Sequence, residues 1–181
     1  MCKQCEINPV YEFTNKRKLC KNCFVRYFDK KVLFTIRKYK LINSKDIIGY
    51  KEKNTFRDVV LKNVLESISE KYGFNILKLP NKKVNKIAVP STLDSESQNV
   101  LSLFIEGKNS NIKKIFPFEK NIVKPLYFFL DEEVLLYAKI KNLKFKKMRT
   151  KDKINNFLNS LEKKHPEVKR AIINGILEIN N

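Results

Sequence analysis

Four cysteines constrain this chain more than any other feature. They read Cys2-Lys-Gln-Cys5 and, fourteen residues on, Cys20-Lys-Asn-Cys23, and they are the chain's whole cysteine content. Each C-x-x-C pair offers two sulfurs from one short turn, so the two pairs can close a tetrahedral shell around one ion. Between them, Val10-Tyr11-Glu12-Phe13-Thr14 followed by Asn15-Lys16-Arg17-Lys18 predicts a β-hairpin with a basic turn, the body of a zinc ribbon or knuckle. Two disulfides would need an oxidising compartment, and the opening residues lack the apolar core of a signal peptide. A redox C-x-x-C opens a helix after a strand, and no strand precedes Cys2. Four thiolates could also hold an iron–sulfur cluster. The expectation is structural zinc on Cys2, Cys5, Cys20 and Cys23, and not an iron–sulfur cluster.

A basic helix is expected next. Phe24, Phe28, Val32, Ile36 and Tyr39 recur at near-helical spacing, while Arg26, Lys30, Lys31, Arg37 and Lys38 occupy the other faces. Residues 1–45 hold twelve Lys or Arg against three acidic residues, and the whole chain carries a formal charge of +19. A surface this positive attracts polyanions and releases their counterions on contact. Lys16, Arg17 and Lys18 of the basic turn, with Arg26, Lys30, Lys31, Arg37 and Lys38, are therefore the candidate RNA contacts. The plainer alternative is a lysine-rich, solvated surface. No apolar run approaches the roughly 20 residues of a membrane span, so a cytoplasmic protein with no membrane partner is expected.

Residues 46–181 read as an α/β domain behind the 1–45 knuckle and linking helix. Ile47-Ile48-Gly49-Tyr50 predicts a first strand. Arg57 to Tyr72 predicts a helix that Gly73 ends, and further strands fall at Phe74–Leu77 and Lys86–Val89. Asp94 is read as the cap of a helix that Gly107 stops, and Leu143–Phe145 as a strand. Later helices are marked by Val134 to Ile140, Ile154 to Leu161 and Val168 to Leu177. Alternating strands and helices imply a parallel sheet with both faces covered. His165, beside Pro166 in a charged turn, reads as an ordinary surface residue. Lys146, Lys147, Arg149 and Lys151 form either a solvated patch or a second phosphate contact.

The stretch Cys20-Lys-Asn-Cys23-Phe24-Val-Arg26-Tyr27-Phe28, continuing through Thr35-Ile36-Arg37-Lys38-Tyr39, resembles the opening of the tRNA 2-thiolation family. That family comprises the wobble-uridine and T-loop uridine sulfurtransferases. Ala88-Val89-Pro90-Ser91-Thr92-Leu93-Asp94-Ser95-Glu96 is similar to the family's acidic block, with Ser91, Thr92 and Ser95 as departures. Lys124-Pro125-Leu126 resembles its Lys-Pro-Leu strand end. The resemblance implies a zinc knuckle joined to a trimmed, Rossmann-like domain of the adenine-nucleotide-α-hydrolase, or PP-loop ATPase, type.

The departures shape the functional expectation. Active members carry a Ser-Gly-Gly-Lys-Asp-Ser loop after the first strand, whose glycines let backbone amides approach ATP phosphates. The corresponding stretch runs Gly49-Tyr50-Lys51-Glu52-Lys53-Asn54-Thr55, with one glycine, so ATP binding is not expected. Gly49, Tyr50, Lys51, Lys53 and Thr55 are its degenerate nucleotide loop, and Asp94 and Glu96 its degenerate acidic motif. The family's central C-x-x-C and later cysteine, which hold a cluster or carry sulfur, have no counterparts. The expectation is a non-catalytic tRNA-binding pseudoenzyme with no catalytic residues, acting as scaffold or partner subunit for an active thiolase paralogue, or as a homodimer. The alternatives are a minimal active tRNA 2-thiouridine sulfurtransferase and a zinc-knuckle module that docks protein rather than RNA.

Overall fold

The computed structural model describes residues 1–146 and 153–178. A two-stranded hairpin, β1 (Tyr11–Glu12) and β2 (Lys18–Leu19), pairs Tyr11 with Leu19 and Glu12 with Lys18. Helix α1 (Lys21–Lys38) follows directly. It buries Phe24, Phe28, Val32 and Ile36 along one stripe, the expected inner face.

The sheet strands are β3 (Ile47–Tyr50), β4 (Asn75–Lys78), β5 (Lys86–Ala88), β6 (Phe118–Glu119) and β7 (Ile122–Val123), in the order β4-β3-β5-β7-β6. All neighbours run parallel except the antiparallel pair β6 and β7. The remaining helices are α2 (Phe56–Tyr72), α3 (Leu93–Ile105), α4 (Asp131–Ile140), α5 (Lys153–Lys164) and α6 (Val168–Glu178), with a 3-10 segment at Asn109–Ile115. The expected parallel α/β sheet is present. Strand order reverses at β3, so the crevice outside the carboxyl ends of β3 and β5 is where such a sheet places a ligand.

Capping chemistry sets where the helices flanking that crevice begin. Thr55 and Asp58 form a reciprocal capping box at α2, and Gly73 ends the helix at φ 72°. At α3 the cap is Thr92, not Asp94: the Thr92 amide donates to Ser95 Oγ at 2.8 Å, and the Ser95 amide donates back to Thr92 Oγ1. Asp94 lies inside the first turn and is free for other partners. No strand forms at Leu143–Phe145. There the Lys146 amide donates to the Asn54 carbonyl at 2.7 Å, so the chain crosses the β3–α2 loop instead of adding to the sheet.

One hydrophobic core runs from Cys2, Leu19 and Phe24 in the head to Ile48, Val60, Val134 and Tyr137 in the sheet and its helices. A smaller one joins Leu93, Val100, Ile115, Tyr127, Ile173 and Ile176. Gly49 is required for closeness: a Cβ there would lie 2.7 Å from Val84 Cγ1 and 2.8 Å from Leu79 Cδ2. Gly49→Ala is expected to cost about 1–3 kcal/mol through overpacking, read as a lower urea midpoint at unchanged slope.

Candidate metal centre and nucleotide crevice

The head brings its four sulfurs together as the spacing predicts. Cys2 and Cys5 lie on the first turn, Cys20 sits at the N-cap of α1, and Cys23 is in its first helical turn. Backbone bonds from the Cys2 amide to the Ile7 carbonyl and from the Lys3 amide to the Lys18 carbonyl tie the turn to the hairpin. All four Sγ atoms lie within 4.8 Å of one another, with Cys5 at 3.3 Å from Cys20 and 3.6 Å from Cys23. These separations are far longer than the roughly 2.05 Å of a disulfide.

Cys2, Cys20 and Cys23 are buried and Cys5 is exposed. Burial raises the Cys2 thiol, but backbone hydrogen bonds involving Gln4 and Cys20 outweigh it and bring it down to about 6. A backbone bond at Cys23 lowers Cys20, while burial and neighbouring sulfurs push Cys23 up to about 12. Four sulfurs this close cannot all carry charge without a cation among them. The donor set fits a metal group. When bound, that group would neutralise the thiolates and fix both turns against α1.

The candidate RNA residues separate into two groups. Lys16, Arg26, Lys30, Arg37 and Lys38 are exposed. Lys18 pairs with Glu12 at 3.1 Å. Arg17 lies half-buried over the ring of Phe13, 4.3 Å from its centroid. Lys31 is an internal strut. It pairs with fully buried Glu133 at 3.3 Å and lies 4.3 Å from the Phe129 centroid. Glu133 also accepts from Tyr27 Oη and the Leu130 amide. The patch of Lys147, Arg149 and Lys151 lies outside the described residues.

The turn leaving β3 is filled by side chains, while a wider concavity of about 1030 Å³ opens beside it past Phe56, Asp94, Asp131 and Lys169. Glu52 accepts from Lys78 at 2.6 Å and Lys62 at 3.2 Å, and these bonds hold its carboxyl below the ordinary range. The cavity among Tyr50, Lys51, Glu52, Asn54, Asp58 and Lys62 is about 10 Å³, room for roughly one water. Thr55 is occupied as the α2 cap.

The two acids read from the sequence as a degenerate motif, Asp94 and Glu96, are both engaged in ion pairs. Asp94 meets Lys169 at 2.5 Å and accepts from the Asp131 amide at 2.7 Å, while Glu96 meets Lys124 at 3.0 Å. Arg57 forks onto both oxygens of Asp131. Lys169 and Arg57 carried no sequence signal, because their partners lie 75 and 74 residues away. His165 is exposed at the end of α5, as expected of a surface residue.

The fold is a mixed α/β one with a mostly parallel sheet, and the four cysteines clustered at its N-terminus could hold a metal. No protein-family model matches the chain. Its fold matches that of the U34-tRNA thiolase NcsA from Methanococcus maripaludis, solved with its [4Fe-4S] cluster. The TM-score is 0.80 at 18% identity, covering 98% of this chain and 86% of that one. A probable sulfurtransferase of Methanocaldococcus jannaschii is 31% identical over 104 residues, 49% of this chain and 30% of that protein. A tRNA(Ile)-lysidine synthase of Persephonella marina is 26% identical over 77 residues, 42% of this chain and 17% of that protein. The chain thus aligns with under a third of either curated relative. It shares its fold with a tRNA thiolase and part of its sequence with a probable sulfurtransferase, in line with the resemblance.

One expectation is overturned. Sequence reasoning sets an iron–sulfur cluster aside in favour of structural zinc. The solved thiolase of this fold carries such a cluster, and the four N-terminal thiols are themselves a complete ligand set for one. Among the described residues no helix is long and apolar enough to cross a membrane.

Protein purified without oxygen is expected to hold one metal centre per chain by elemental and acid-labile sulfide analysis, and Cys20→Ser or Cys23→Ser to lose it and lower the Tm. A second expectation concerns Lys31, whose ammonium burial lowers to about 8, against the pull of Glu133. Between that value and its ordinary 10.5 the unfolded chain holds a proton that the folded chain has released, so stability rises with pH. Lys31→Met should lack that rise, a difference of about 2 kcal/mol between roughly pH 8 and 10 in urea titrations.

Proposed function

We propose that this protein binds tRNA and serves uridine thiolation as a non-catalytic scaffold or partner subunit for an active thiolase. The observation that carries this reading is the filled β3–α2 turn. In a fold shared with a tRNA thiolase, Glu52 is tied to Lys62 and Lys78, and Asp94 and Glu96 are neutralised by Lys169 and Lys124. An ATP phosphate at the β3–α2 turn would meet the Glu52 carboxylate and a space for about one water. The four cysteines have a structural task in holding a metal group at the head. What remains for the molecule to offer is a cationic surface. Arg26, Lys30, Arg37 and Lys38 are exposed on α1, which is anchored at one end by the metal-binding turns and along its length by the core.

Such a face reads phosphates and supplies affinity rather than chemistry. The wild-type protein is expected to bind tRNA with steep salt dependence and to release no pyrophosphate from ATP. Arg26→Ala/Lys30→Ala/Arg37→Ala should weaken binding at least tenfold and reduce the salt slope by about 3, one for each phosphate left without its cation. The check is fluorescence anisotropy across a salt series. Pyrophosphate release or 2-thiouridine made by the isolated protein would refute the non-catalytic reading.

A further inference from the structure

Away from the crevice, a second concavity of about 900 Å³ opens between the carboxyl end of α1, the β6–β7 hairpin and α6. Tyr39, Phe116, Phe118 and Phe128 line its walls. Phe118 is 40% exposed on an edge strand, and Tyr39 and Phe128 stack with centroids 5.5 Å apart and planes 26° from parallel. Lys38 and Lys113 stand among the rings, with Lys38 5.4 Å from the Tyr39 centroid. The concavity continues, through Lys38 and Phe128, into a groove of about 270 Å³ walled by Phe34, itself 62% exposed.

We propose that this groove takes unpaired nucleotides of an RNA, stacking their bases on Phe118, Tyr39 and Phe128 while Lys38 and Lys113 meet the phosphates. The inference rests on the RNA-binding reading above and extends it from backbone contact to base contact. Three features favour a nucleic acid over an apolar peptide. Phe118 and Phe34 are open to solvent beside lysines, as in single-strand platforms, where every base offers a π-face to an aromatic side chain, while Tyr39 and Phe128 are half-buried. The groove begins at the last turn of α1, so a strand tracking Arg37 and Lys38 arrives at it. The chain as a whole, at +19, draws a polyanion toward any of its grooves. Glu119 and Glu178 also line the cavity. Local charge there is mixed, and selectivity falls to the rings rather than to the cations.

Base stacking and phosphate attraction respond differently to substitution and to RNA form, and the test uses both. The full chain is titrated with a labelled stem–loop and with a fully paired duplex of equal phosphate count. The wild type is expected to bind the stem–loop at least fivefold more tightly. Phe118→Leu and Phe34→Leu, which keep apolar bulk and remove the ring, should together erase that preference, while duplex affinity, the salt slope and the Tm stay unchanged. Phe118→Tyr should retain the preference. Ultraviolet crosslinks from unpaired uridines should map to Tyr39, Phe118 or Phe128.

Equal binding of loop and duplex, or a loop preference that survives both leucine variants, would overturn the groove assignment and leave the cationic α1 face standing. A change in self-association with no change in RNA affinity would assign the groove to a second copy of the chain and also overturn it. Failure of the wild type to bind either RNA would remove both readings.

Discussion

Phe28 joins the two ends of this molecule. Its ring lies 4.1 Å from that of Phe129 and 4.2 Å from that of Tyr137, so the middle of α1 is locked onto α4 and the segment before it. Three residues further along α1, Lys31 reaches the buried Glu133 at the start of α4. Offset aromatic packing and a buried charge-assisted bond are both sensitive to small displacements. The head cannot swing without breaking them. Every later feature inherits this anchorage: the position of the sulfurs over the domain, the direction of the cationic face and the place where α1 delivers its carboxyl end.

The acids at the strand ends are engaged by lysines and an arginine from distant elements: Lys169 on α6, Lys124 after β7 and Arg57 on α2. Breaking one side of such a buried pair leaves an uncompensated charge. These pairs are therefore held by the fold as a whole, and the Lys146 amide adds a strap across the β3–α2 loop at the Asn54 carbonyl. Glycines in place of Tyr50 and Lys51 alone would leave Glu52, Lys62 and Lys78 where they are.

The metal head illustrates what ligand spacing can and cannot decide. Two C-x-x-C pairs on short turns dictate that four sulfurs converge, and they do. Spacing says nothing about how many metal atoms sit among them, since thiolate is a good ligand for zinc and for iron–sulfur clusters alike. That is why sequence reasoning sets the cluster aside wrongly.

The sequence by itself determined the features governed by neighbours along the chain. The hairpin, the buried stripe of α1, the end of α2 at Gly73 and the alternation of strands and helices all follow from local chemistry with short reach. Even within that range one choice needed the fold. Asp94 and Thr92 both had the chemistry to cap α3, and Thr92 took the cap because Asp94 is held by Lys169 and the Asp131 amide. Only tertiary structure decided which lysines face water. Lys30 and Lys31 are adjacent and identical in sequence terms, yet one is exposed and the other pairs with Glu133, 102 residues away. Charge partners of that separation leave no periodic trace, because what brings them together is the closing of the core between them.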